Sequence, residues 1–313
     1  MTLKPTLLKS LFVLFTLLSP WTLLITPSVA NAEQCNEKQL DILLTNDDGY
    51  DKPGIQALHR VFKQAGHRVI LAAPAKNASG SSASVTFAAV KVTQAEPDVY
   101  AIHGSPATTV LLGVSAFFAN NPPDLVISGI NKGANLGPAT PVSGTVGATV
   151  AAILISQPAI PAIAISTDPF SRDGNSDDEN RKADLEHLDR VAVFVSALVA
   201  NLQNQHCDGS ALLPEKVALN VNYPPVPHNQ IKGVRLREQG KAPHFSINYV
   251  ASKKDPGSYL PHLKVLPPNF DKDDGDTSAF HQGYITIVPI DADYTANNST
   301  IMKIVPVLQG LKP

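Results

Sequence analysis

The residues with chemical potential fall in four short stretches: Asn46-Asp47-Asp48-Gly49, Asn77-Ala78-Ser79-Gly80, Ser128 through Asn135, and Ser143-Gly144-Thr145-Val146-Gly147. Adjacent carboxylates repel, and a buried carboxylate without a partner is costly, so Asp47 and Asp48 call for a positive neighbour. With the Ser79 hydroxyl and the Asn131 amide they form an all-oxygen donor set. That set suits one hard divalent cation, Mg²⁺ or Mn²⁺, rather than zinc, which takes Cys or His. The Ser-Gly-Thr-Val-Gly run opens a helical pattern, and the N–H groups at a helix start, with the hydroxyls of Ser143 and Thr145, form a phosphate cradle. A cation beside such a cradle is the equipment of phosphoryl transfer.

Each stretch alone has a plainer reading. Asp-Asp-Gly after a strand is a turn or a helix cap. Ser79 to Ser82 read as a flexible loop, Asn131 and Asn135 as turn residues, and the Ser-Gly-Thr run lacks the Gly-Lys-Ser/Thr of a Walker loop. The joint position of the four stretches separates the two readings, and that depends on the elements carrying them.

Short runs rich in Ile, Leu and Val at 41–46, 67–74, 123–129, 161–166 and 216–222 read as buried strands. Helical spacing fills the intervals at 55–66, 105–119, 145–156 and 188–203. The alternation predicts a Rossmann-like α/β fold, a mostly parallel sheet with helices on both faces, over a core of 33–222. In such a sheet ligands bind at the carboxyl ends of the strands, where all four stretches fall. From 223 to 313 the texture changes to Pro-rich loops and a final alternating strand at 284–290, which predicts an extension of hairpins and long loops used in oligomerisation. The Asp-, Asn- and Ser-rich stretch 171–184 reads as an exposed loop.

The first 32 residues are distinct: Lys4 and Lys9 precede a long apolar run that ends in Ala30-Asn31-Ala32. This is the layout of a secretory signal peptide cleaved after Ala32, which predicts a periplasmic or secreted protein with no membrane attachment after cleavage. Export permits a disulfide between Cys35 and Cys207, though their spacing equally allows two separate thiols. A formal net charge of −2 gives no general basic surface for a nucleic-acid polymer. The nine histidines show no metal-ligand spacing, and no Gly-x-Ser-x-Gly elbow marks a serine hydrolase.

Five motifs in order, NDDGYDKPGIQAL, AAPAKNASGSSASVT, PDLVISGINKGANLG, PVSGTVGA and GYITIVPI, closely resemble the SurE survival-protein family over about residues 41–291. The resemblance implies a metal-dependent nucleotidase and acid phosphatase, with homodimer or homotetramer assembly through the C-terminal extension. Its metal ligands fall on Asp47, Asp48, Ser79 and Asn131. Its phosphate-facing residues fall on Asn46, Asn135, Ser143, Gly144 and Thr145. Asp47, Asp48 and Asn135 carry the catalytic roles, on a nucleoside monophosphate or another small phosphomonoester as substrate. Departures lie at PATPVSGTVGA, where the family carries acidic residues and a Tyr, at GSPATTV, and at Thr277-Ser278 in place of Thr-Asp. They bear on substrate preference more than on reaction type. The rival readings are an exported ligand-binding protein and an inactive member of the family.

Overall fold

The computed structural model describes residues 38–170, 178–206, 209–267 and 274–309. The signal-peptide segment, Cys35 and Cys207 lie outside the described residues. The chain opens with β1 (Asp41–Thr45), α1 (Pro53–Gln64) and β2 (Arg68–Pro74), followed by a hairpin of β3 (Val92–Glu96) and β4 (Val99–Ile102). Next come α2 (Pro106–Leu112), β5 (Leu125–Lys132), α3 (Gly144–Val150), β6 (Ala162–Thr167), α4 (Asp178–Gln205) and β7 (Ala218–Tyr223). The remainder holds β8 (Val234–Leu236), β9 (Phe245–Ala251), β10 (Tyr259–Val265), α5 (Asp276–His281), β11 (Ile285–Ile290) and α6 (Asn298–Leu308).

Among the described residues nine strands form one sheet in the order β3-β4-β2-β1-β5-β6-β7-β11-β8. The strands from β4 to β7 run parallel, while β3 and β11 pair antiparallel at either side. Alternation along β1 shows why its run is apolar throughout. Ile42 and Leu44 pack with Ile55 and Phe62 of α1 and Val195 of α4, whereas Leu43 packs on the other face with Val110 of α2 and Ala148 of α3. A strand covered on both faces must be apolar at every position.

The helices predicted at 105–119 and 145–156 each begin as α-helix and finish as a π-helical turn, at Gly113–Phe117 and Ala151–Ile155. Two expectations need correction. Of the stretch 171–184, residues 171–177 lie outside the described residues, and 178–184 are the largely exposed first turns of α4 rather than loop, because Asp178 and Glu179 sit at the helix start, where acidic side chains are favoured. The sheet also has two strands at one edge, β3 and β4, that the apolar runs do not announce, since β3 is exposed throughout and β4 has only four residues.

The C-terminal part contributes in two ways. Strand β11 joins the main sheet beside β7 and carries β8 with it. The β9–β10 hairpin forms a separate two-stranded sheet with Tyr249, Leu260 and Leu263 exposed, and α6 has no buried residue. Among the described residues, no helix is long and apolar enough to cross a membrane.

Candidate functional site

Strand β1 is the switch point of the sheet: the chain moves outward to β2 on one side and returns as β5 on the other. Loops leaving β1 and β5 diverge there and open a crevice at their carboxyl ends. Asn46, Asp47 and Asp48 leave the end of β1, and Asn131 stands near the end of β5. Asn46 closes the turn on itself: its side chain donates to the Gly49 carbonyl at 2.8 Å and accepts the Gly49 N–H at 3.1 Å. It therefore shapes the Asp-Asp turn through its amide.

Asp47 points towards the start of α3. It is 2% exposed, and its Oδ1 accepts a hydrogen bond from the Thr145 hydroxyl at 2.5 Å. Ser143 caps α3, accepting the Val146 N–H at 3.2 Å. Gly144 is needed for close approach: a Cβ there would lie 2.8 Å from Asp47 Cβ, 2.9 Å from Asp47 Oδ2 and 2.6 Å from Ser81 Oγ. The helix start and the carboxylate are thus in direct contact. Asp48 turns the other way, accepting the Lys132 N–H at 2.9 Å.

A bulge positions the β5 contribution. Pairing with β6 runs Ser128 to Ala164 and then Asn131 to Ser166, so β5 carries one extra residue, with Gly129 at φ +140°. That conformation favours glycine, and a side chain there would meet the Ile165 carbonyl at 2.3 Å. Beyond the bulge the Asn131 amide donates to the Gly133 carbonyl at 2.7 Å.

Both acids sit above the usual carboxylate range. Burial is the main cause for each. At Asp47 the repulsion of Asp48 adds to it, while the Thr145 hydroxyl works against it. At Asp48 the Lys132 N–H and the charges of Lys132 and Lys52 work against it. Two desolvated, adjacent carboxylates fit a divalent cation. The Ser81 hydroxyl, buried beside Asp47 and without a hydrogen-bond partner, adds a neutral oxygen to that set. Among the described residues no group of three or more His, Cys, Asp and Glu side chains is placed to hold a metal, so a cation here would draw on neutral oxygens as well.

Two sequence-predicted residues lie on the loops that flank this centre. Ser79 is exposed, and its loop joins the centre through the Ala78 N–H, which donates to the Asp47 carbonyl at 2.7 Å. Asn135 is held in a polar cluster at the ends of β6 and β7. Its amide donates to Ser166 Oγ at 2.9 Å, and Asn222 brackets its peptide, accepting the Asn135 N–H at 2.7 Å and donating to the carbonyl at 3.1 Å.

The structure also supplies residues that sequence reasoning missed. Asp168 accepts the Ala134 N–H at 2.8 Å and pairs with the buried His244 at 3.0 Å, fastening the loop that carries Asn135. Asp276 is fully buried and accepts N–H bonds from Gly137, Gly240 and Thr277. A buried carboxylate thus stands directly before the Thr277-Ser278 pair that marks a departure in the motif. Burial raises Asp276 above the usual range against the pull of those three N–H groups. Ser81 was hidden among three neighbouring serines, and Asp276 inside an acidic stretch that reads as solvated loop.

Comparison with known proteins agrees with this geometry. Residues 42–245 match the family model described as Survival protein SurE. A 5′-nucleotidase SurE of Actinobacillus pleuropneumoniae is 35% identical over 265 residues, covering 83% of this chain and 97% of that protein. The 5′-nucleotidase SurE 1 of Burkholderia lata is 31% identical over 257 residues, covering 81% and 91%. The crystal structure of the SurE protein from Aquifex aeolicus superimposes with a TM-score of 0.66 at 30% identity, over 86% of this chain and 99% of that one. With the motifs, the switch-point site and these matches in agreement, the chain belongs to the SurE family.

Proposed function

We propose that this protein is a phosphomonoesterase of the 5′-nucleotidase type, acting on nucleoside monophosphates and other small phosphomonoesters with one divalent cation, Mg²⁺ or Mn²⁺, per subunit. The observation that carries the reading is the contact of Asp47 with the start of α3 at the switch point, through Thr145 Oγ1 and the space at Gly144. Asp47, Asp48, Ser79, Asn131 and the Ser81 hydroxyl are the residues that would hold the cation. When bound, it supplies Lewis-acid withdrawal of charge from the phosphoryl group.

The protein's own groups do the rest. Thr145 fixes the Asp47 carboxylate by its hydroxyl proton, and Ser143 caps the helix, taking the Val146 N–H, so that the Gly144 N–H at the helix start is the one that would face the substrate oxygens. Asn46 and Asn135 shape the loops on either side. A water molecule is the nucleophile in this reading, because Asp47 is buried against Thr145 and Gly144 and has little freedom to attack phosphorus. The exposed apolar hairpin and the uncovered α6 support assembly with a second copy, as homodimer or homotetramer. The basic and apolar layout of residues 1–32 supports export to the periplasm or beyond.

The test is hydrolysis of a nucleoside 5′-monophosphate by the mature protein with Mg²⁺ or Mn²⁺, with chelator, and in Asp47→Asn and Asp48→Asn. Turnover that needs the cation and falls by at least ~10²-fold in either variant is expected, from the loss of an electrostatic anchor. Turnover indifferent to chelator, or absent throughout, overturns the reading.

A further inference from the structure

Resting on that reading, we propose that the cleft beside Asp48 receives the alcohol half of the phosphoester, and that Lys132 at its mouth is a catalytic residue stabilising the departing oxygen. The cleft holds about 480 Å³, within the ~300–1,000 Å³ of small-molecule sites. Asp48, Asn77 and Lys132 line it on the site side, and Leu185 and Leu188 of α4 form part of the far wall. Asp47 faces the cradle while Asp48 faces this cleft, so the two adjoining carboxylates look into the two halves of one site. In-line displacement sends the leaving oxygen away from the attacking one, and the cleft is the space that can take what is attached to it.

Lys132 is placed for the charge that develops there. Its N–H is fastened to Asp48 Oδ2 at 2.9 Å, its side chain is exposed, and among the described residues it forms no ion pair. The other cations of the cleft are engaged: Lys52 with Asp51 at 3.1 Å and Arg181 with Asp178 at 3.7 Å. Nearby acids are held elsewhere, Asp184 by the Phe170 N–H at 2.8 Å and Asp168 by Ala134 and His244. The water oxygen bonds to phosphorus, and the ester P–O bond breaks with its electron pair on the alcohol oxygen. The proton released by the water reaches that oxygen through solvent. The Lys132 ammonium group donates a hydrogen bond to the oxygen while it carries charge.

Leaving-group dependence tests this directly. Lys132→Ala should lower kcat/KM for a nucleoside 5′-monophosphate, whose alcohol is a poor leaving group, by about 10²-fold. For p-nitrophenyl phosphate, which needs no such help, the loss should stay below ~3-fold. Lys132→Arg should recover part of the nucleotide activity. Equal loss on both esters places Lys132 on the scissile phosphoryl group and overturns the assignment, as does no loss on either. Leu185→Trp, at a half-exposed wall position, should raise KM for the nucleotide while leaving methyl phosphate unchanged, and an unchanged nucleotide KM overturns the cleft assignment. Wild-type protein without cation-dependent turnover on any ester overturns the phosphomonoesterase reading as well, which separates the two failures.

Discussion

Gly144→Ala isolates the contact on which the functional reading stands. Alanine suits the first turn of a helix, so the backbone itself gains a little, up to ~1 kcal/mol over glycine. The obstacle is space: the new methyl would sit 2.6 Å from Ser81 Oγ, 2.8 Å from Asp47 Cβ and 2.9 Å from Asp47 Oδ2. Restoring ordinary contact near ~3.5 Å means moving the helix start from Asp47 by roughly 0.6–0.7 Å and from Ser81 Oγ by about 0.9 Å. The hydrogen bond from Thr145 to Asp47 then lengthens or turns. Overpacking of this kind costs about 1–3 kcal/mol, offset in part by helix propensity. The larger effect falls on rate, since a misplacement of ~1 Å at a reacting centre costs about 10²-fold. Steady-state kinetics on a nucleoside monophosphate, cation affinity by calorimetry and thermal unfolding should therefore show a small change in Tm beside a large fall in kcat and weaker cation binding. A variant within ~3-fold of wild type in kcat, with undiminished cation affinity, would refute the direct coupling of Asp47 to α3.

Further outcomes follow from other parts of the structure. Asp47 and Asp48 are raised in the folded state, so their contribution to stability is full below the ordinary carboxylate value near 3.8 and is lost as pH rises through the raised values. Without cation, Asp47→Asn should then melt higher than wild type at pH 7 and not at pH 3.5; a difference independent of pH would contradict the assignment. Saturating Mg²⁺ or Mn²⁺, at about 100 times Kd, should add ~2.7 kcal/mol, or roughly 5–10 °C in Tm, to wild type at pH 7 and almost nothing to Asp47→Asn. Asp168→Ala removes the acceptor of the Ala134 N–H and the partner of His244 Nε2 at a cost of about 2–4 kcal/mol, and a fall in Tm below ~2 °C would show the pair to be dispensable. Leu263→Asp on the exposed hairpin should shift the protein towards monomer in sedimentation, whereas unchanged mass would remove the hairpin from assembly.

What the sequence makes legible here depends on how sharply polarity changes along it. The end of β1 is plain because the apolar run Ile42–Leu44 gives way within two residues to Asn46 and two acids, although those acids alone read equally as a turn. The bulge at Gly129 is not legible, because a glycine in SGIN serves a turn as well as an extra residue in a strand. Choosing among Ser79, Ser81 and Ser82 needs the fold, since only the approach of Gly144 shows which hydroxyl is buried beside Asp47. The start of α4 was masked by its charge: an acidic, polar stretch reads as loop until the helix it begins is seen. Strands β3 and β4 escaped for a related reason, since β4 has four residues and β3 lacks a buried face.

The three buried acids show how structural and functional burial differ. Asp47, Asp48 and Asp276 are all pushed upward by desolvation, so the direction of the shift alone does not distinguish them. Their neighbours do. Asp276 receives N–H bonds from Gly137, Gly240 and Thr277, which tie the loop after Asn135 to the C-terminal segments, and its electrostatic needs are met by the backbone. Asp47 receives the Thr145 hydroxyl and the backbone N–H groups of Asp47 and Thr145, and Asp48 receives the Lys132 N–H, but the two are like-charged neighbours, and Asp276 has no such neighbour acting on it. Two adjacent carboxylates inside a fold are a standing cost, since burial disfavours the charged form and like charges repel. At the switch point that cost is confined to the one pair of acids a cation can reach from the crevice. In the proposed function, a small, highly charged cation would relieve the repulsion between Asp47 and Asp48, which their hydrogen bonds leave in place.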